Sequence, residues 1–364
     1  TYYSAIHSGT AILYANQTLK LPADEGLNSS LPNLYRDNMH LSDYGRVLSA
    51  YSFFAQYMGV EVNEIKLTTL AGNARGAYDA EENPIGDLTF ATEWSNWTNW
   101  EKYMLESIEF SRTNPWTIWE NESSDPSTPT DPELPDESEP ATPPAHDLKN
   151  LKKILIIGNS HSEDIFAALP AVFKAEGYDG YTFGAARRGS HTITMHRENI
   201  EKSIKRPDNP VLYGYQKATP ASNGVYTDKV GTSFRDVLLD EVWDIVYLQT
   251  GATELIEDDM SKADRDYVVN YIKETCTNPN VKIAYSNSWI APYSDVEATR
   301  DKIYNKYLNA TDTFWPTVIQ NLDFRHPIKQ HNKTIRLFEK NIFTDNTYYS
   351  AIHSGTAILY ANQT

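Results

Sequence analysis

Two short stretches hold residue types that can perform acyl-transfer chemistry together. One is GNSHSED, residues 158–164, with Ser160 directly after the apolar run KKILIIG. The other is RDNMHLSDYG, residues 36–45, with Asp37 and His40 three positions apart, just ahead of a helical pattern. A serine hydroxyl is a weak nucleophile until a base takes its proton, and the base needs an acceptor to orient it. The D-x-x-H spacing lets one turn present both side chains on one side. Each stretch also has an ordinary explanation. Serine is a common helix N-cap, and Asp before a helix with a surface His is unremarkable. The pair together is far more specific than either alone.

The elements needed to position these residues are legible around them. KKILIIG, YTFGAA (181–186), WDIVYLQTG (243–251) and VKIAYSNSWI (281–290) read as buried strands. Between them, SEDIFAALPAVFKAEG reads as one helix ending at Gly177, with Ile165, Phe166, Leu169 and Phe173 on one face. SFRDVLLDEV, ADRDYVVNYIKETC and a long pattern over roughly 296–322 also read as helices, and 206–232 as an inserted loop or hairpin. A short strand around YSAIHS, followed by a helix from GTAIL, completes an alternating β-α order. That order predicts an α/β doubly wound parallel sheet with helices on both faces. In such sheets ligands gather at the carboxyl ends of the strands, where Ser160 lies. Near the other end of the chain, HLSDYGRVLSAYSFFAQYMG (40–59) predicts an amphipathic helix with Val47, Leu48, Tyr51, Phe54 and Met58 inward and Gly59 as its stop. Residues 61–121 carry further helical pattern.

With these pieces assembled, the chain resembles the SGNH (GDSL-type) hydrolases, in a poorly characterised bacterial branch. GNSHSED resembles the nucleophile block and RDNMHLSDYG the closing D-x-x-H block; WDIVYLQTG and IHSGTAIL resemble the intermediate stretches. The resemblance spans about residues 150–364 and 1–120. It implies a three-layer α/β/α flavodoxin-like fold and ester hydrolysis, with Ser160 as nucleophile, His40 as general base and Asp37 orienting it. It also implies an oxyanion hole from the Ser160 and Gly189 N–H groups and a third donor, with Gln249 standing where the family carries Asn. Asn159, His161, Thr250 and Gly251 would line the substrate, an acylated glycan or other small ester, and no cofactor would be needed. The competing expectation is a non-catalytic surface-binding repeat that keeps the fold.

The other titratable and aromatic residues carry weaker signals. His161, His191 and His196 lack the spacing of a dedicated metal site, and no metal is expected. His7 and His353 read as strand-end residues. Five of the eight tryptophans (Trp94, Trp97, Trp100, Trp116 and Trp119) fall within 26 residues. They read as a helix interface before a sugar platform. Cys276 is the only cysteine, so no internal disulfide is available.

The bulk properties bound the partners. A net charge of −17 argues against nucleic acid and anionic membrane surfaces. No apolar run approaches the roughly 20 residues of a membrane span. Residues 122–147 hold seven of the nineteen prolines and no Lys or Arg, which reads as an acidic extended linker. It divides the chain into 1–121 and 148–364, and the composition suits a secreted or bacterial cell-surface protein. The first eighteen residues, TYYSAIHSGTAILYANQT, recur unchanged at 347–364. Asp37 and His40 precede Ser160, the inverse of the family's order, and joining 364 to 19 restores it. The expectation is one period of a tandem array of identical neighbouring units, or a circular permutant. Residues 1–121 would then supply the C-terminal part of a unit and 148–364 its N-terminal part. With two copies of the repeat and one strand slot, one copy is expected in the sheet and the other displaced.

Overall fold

The computed structural model describes residues 4–6, 41–67, 71–75, 87–91, 100–113, 148–249, 262–287 and 350–353. The linker 122–147, the helical pattern at 296–322 and the segment after 353 lie outside them. So do Trp94, Trp97, Trp116, Trp119, His7 and both D-x-x-H residues.

Among the described residues eight strands form one sheet, in the spatial order β1-β10-β9-β8-β4-β5-β6-β7. They are β1 (Ser4–Ile6), β4 (Lys153–Gly158), β5 (Thr182–Arg187), β6 (Leu212–Ala218), β7 (Thr227–Ser233), β8 (Ile245–Gln249), β9 (Lys282–Asn287) and β10 (Ser350–His353). From β1 to β5 every neighbouring pair is parallel. The order reverses at β4: the chain goes from β4 outward to β5, then returns to the other side of β4 for β8. The purely parallel expectation is corrected at the far edge. There β6 and β7, the hairpin drawn from the 206–232 insertion, run antiparallel to their neighbours.

Helices cover both faces. On one lie α1 (Asp43–Met58), α3 (Ser160–Phe166) and α4 (Leu169–Ala175), packed on Ile154, Ile156, Phe183 and Tyr247. On the other, α5 (Ile193–Lys205), α6 (Phe234–Leu239) and α7 (Lys262–Thr275) pack on Leu155, Ile157, Val246 and Leu248. The alternation along β4 and β8 follows from the pleat, which sends successive side chains to opposite faces.

Three further expectations are revised. The helix read through SEDIFAALPAVFKAEG is two helices, because Pro170 stands in the first turn of α4 and its ring cannot sit in a continuous helix interior. The stretch 61–121 contains an antiparallel pair, β2 (Ala71–Arg75) with β3 (Asp87–Ala91), ahead of α2 (Trp100–Thr113). Gly72 and Asn73 are poor helix formers, and Asn83-Pro84 punctuates the sequence between the strands. The amphipathic reading of α1 is too narrow: its inward residues are buried, but so are Arg46, Ser49, Ser52, Phe53 and Tyr57. Phe53 stands edge-on to Tyr247 of the sheet, 6.0 Å between ring centroids, while α2 packs on α1 as well. Ser42 caps the start of α1, and Gly59, in the left-handed conformation, ends it.

The displaced-copy expectation also fails. β10 pairs with β9, and β1 then pairs with β10 in register, Ser4 opposite Ser350 and Ile6 opposite Ile352. An open parallel sheet has no fixed number of places. The outer edge of β10 offers unpaired N–H and C=O groups, and the identical strand satisfies them.

Candidate active site

The carboxyl ends of β4, β5 and β8 meet around one residue, Asn159. Its own N–H donates to Gln249 Oε1 at 3.1 Å, tying β4 to β8. Its Oδ1 accepts from the His161 N–H at 3.0 Å, capping α3. Its Nδ2 donates to the His191 carbonyl at 3.1 Å, tying in the loop after β5. Its carbonyl accepts from the Ser162 hydroxyl at 2.6 Å. Asn159 is 4% exposed and His161 2%, so both belong to the wiring beneath the site more than to its surface.

Asn159, not Ser160, takes the N-capping role. Ser160 is the first residue of α3 and is half-buried. Gly158 before it has no room for a side chain: a Cβ there would lie 2.7 Å from Gln249 Cβ and 2.8 Å from Ser162 Oγ. The sharp passage from β4 into α3 therefore depends on glycine and on the close approach of Gln249. Gln249 itself is fully buried, and its Nε2 has no hydrogen-bond partner among the described residues. Thr250 and Gly251 lie outside the described residues.

Gly189 sits in the exposed turn after β5. The Arg188 N–H donates to the Gly158 carbonyl at 3.0 Å, which keeps this turn beside the β4–α3 passage. Arg187 pairs with Glu163 of α3, both buried, and Arg188 Nη1 donates to the Leu212 carbonyl. Both guanidinium groups thus have protein partners. Behind the turn, His191, His196, Asn199 and Tyr213 form a polar cluster. Burial, with Arg188 and Lys202 assisting, lowers the His191 pKa. Full burial, reinforced by His191 and Arg188, pushes His196 down to about 3. Burial raises the Tyr213 phenol.

The end of the second motif, from Leu41 onward, comes to the same helix. Asp164, one turn after Ser160, is fully buried, and its Oδ2 accepts the Leu41 N–H at 2.9 Å. Its Oδ1 accepts from Arg46 Nε at 3.0 Å and Nη2 at 2.9 Å. Leu41 is the residue after His40. Beyond it, Tyr57 OH donates to the Leu151 carbonyl at 2.7 Å, and the Lys66 N–H to the Glu176 carboxylate at 3.0 Å. Burial, then the Asp164 carboxylate, raises the Asp43 pKa. The sequence reading passed over Asp164, Arg46 and Glu163. The signal for Glu163 and Asp164 is a pair of adjacent acids at the entry to the apolar stretch IFAALPAVF; Arg46 carries none. Among the described residues no three His, Cys, Asp or Glu side chains are grouped to hold a metal, and no helix is long and apolar enough to cross a membrane.

Residues 153–326 match the model of a domain of unknown function, DUF4886. A crystal structure of a DUF4886 family protein from Bacteroides uniformis ATCC 8492 is similar over 51% of this chain and 63% of that one. The identity is 21% and the TM-score 0.33, and the chain spans less than two thirds of that protein's length. No curated protein matches.

Proposed function

We propose that the chain is a serine ester hydrolase of the SGNH type, removing acyl groups, O-acetyl above all, from carbohydrate substrates outside the cell. The observation that carries this reading is the Asp164 bridge. A buried carboxylate one helical turn from Ser160 holds the backbone N–H of the residue next to His40. The described end of the second motif, from Leu41 onward, is thereby tied to the helix that follows the first motif. That helix starts at the end of β4, where the strand order reverses, the usual ligand position in an open α/β sheet.

In this reading Ser160 Oγ attacks the acyl carbon while His40 takes its proton and Asp37 steadies the imidazole. The oxyanion forms against the N–H groups of Ser160 and Gly189. Gln249 Nε2 is the third donor, a buried amide whose missing partner costs about 1–3 kcal/mol in the absence of an acceptor. The protonated His40 then delivers its proton to the leaving alcohol. Water repeats the sequence to free the acid and return the serine. Residues of 41–67 pack on residues of 148–249, which supports a unit built from both sides of the acidic linker.

The test is turnover of a p-nitrophenyl acetate, butyrate and octanoate series by the full chain, followed by acetylated xylan as a glycan substrate. Acetate turnover that disappears in Ser160→Ala is expected. A folded chain that turns over none of these esters, or turns them over equally well without Ser160, supports the binding-repeat reading instead.

A further inference from the structure

We propose that His191 is a positioning residue: as the neutral Nδ1–H tautomer it clamps the Gly189 peptide and so holds the turn after β5 in its anion-receiving form. The proposal rests on the esterase reading, which makes Gly189 part of the oxyanion hole.

The turn is not held by its own conformational preferences. Ser190 stands at φ 55°, in the left-handed region that costs a non-glycine residue free energy, so surrounding contacts must impose it. Four hydrogen bonds do so. The Arg188 N–H donates to the Gly158 carbonyl and the His191 N–H to the Arg188 carbonyl. Asn159 Nδ2 donates to the His191 carbonyl. The fourth joins His191 Nδ1 to the Gly189 carbonyl at 3.0 Å, the contact nearest the glycine itself.

The ring's other nitrogen fixes its protonation. His191 Nε2 lies 2.9 Å from Asn199 Nδ2, which can only donate. Nε2 must therefore be the acceptor, and the proton sits on Nδ1, facing Gly189. Asn199 is buried and is held in turn by Tyr213 OH at 3.3 Å, so it cannot easily turn away. A second proton on the ring would set N–H against N–H. The charged and titratable groups around the ring act in both directions. Arg188 from the same turn and Lys202 from α5 disfavour the charge, and Glu198 from α5 favours it. The His196 ring lies 5.5 Å away and Tyr213 of β6 at 6.4 Å. Acidification thus releases the clamp from within the site, separately from the protonation of His40.

The experiment compares the full chain with His191→Ala and His191→Asn, since an Asn amide N–H stands near the place of Nδ1 but does not titrate. With kcat counted per serine that a fluorophosphonate can titrate, His191→Ala is expected to fall about tenfold to a hundredfold at unchanged KM. His191→Asn restores most of that loss. Hydrogen-exchange protection of residues 186–192 is expected to drop about tenfold between about pH 7 and pH 4.5 in the parent chain, and to hold in His191→Asn. Unchanged kcat in His191→Ala, or the same pH response of the turn in the parent and His191→Asn, overturns the proposal. The exchange readout needs no turnover, so it judges the clamp even in a chain without esterase activity. Turnover that needs Ser160 but ignores His191 would reject the clamp and keep the esterase.

Discussion

At the scale of single residues, the candidate site is built by side chains that are themselves hidden. Asn159 donates to the end of β8 and to the turn after β5 and accepts from the first turn of α3, and Gly158 is required by the approach of Gln249. His196 is the extreme case. It is fully buried, stacked on Tyr213 at 5.6 Å, with Nδ1 on the phenol oxygen at 2.8 Å. Burial lowers its pKa from 6.5 to about 3. Between these two values the unfolded chain binds a proton that the folded chain does not. Stability therefore falls as pH drops below about 6.5, by up to about 1.4 kcal/mol per unit from this residue. Urea titrations between pH 7 and 4 are expected to show that slope in the parent chain and a flatter one in His196→Phe, which packs on the same rings without titrating. Equal slopes would assign the acid sensitivity to other groups.

At the scale of elements, the important joint is between α1 and α3. Asp164 and Arg46 form an ion pair with side chains 0% and 1% exposed, and the Leu41 amide also donates to the carboxylate. Removing one member of such a pair leaves an uncompensated buried charge, which typically costs 3–5 kcal/mol. Asp164→Ala should lose about that much in denaturant titration, and Asp164→Asn less, since the amide still offers an acceptor to Leu41. A loss below about 1 kcal/mol in Asp164→Ala would mean that the two segments are not held together here. The strands beneath these helices were legible because buried parallel strands are continuous apolar runs, as in KILIIG and IVYLQ. The joint itself was not legible. Nothing in GNSHSED says that its last acid turns inward to an arginine 118 positions away. The β2–β3 pair was hidden for a different reason: five-residue strands carry too few positions to separate period 2 from period 3.6.

At the scale of the whole molecule, the sheet sets the frame and the repeat marks its edge. Reversal of strand order at β4 brings the ends of β4, β5 and β8 together, and the sequence already implied this through its alternating elements. The antiparallel β6–β7 hairpin was readable only as an insertion, because LYGYQKA and TDKVGTS alternate no clear apolar face with a polar one. The described strands of the two copies, β1 and β10, lie side by side, a pairing no single-copy reasoning anticipates. The central claim concerns Ser160, and its most direct measurement is covalent trapping. The full chain would be treated with diisopropyl fluorophosphate and the adduct located by peptide mass spectrometry. The account predicts one stoichiometric adduct on Ser160, formed far more slowly in His40→Ala. A folded chain that leaves Ser160 unlabelled, or labels it at the same rate without His40, would contradict it.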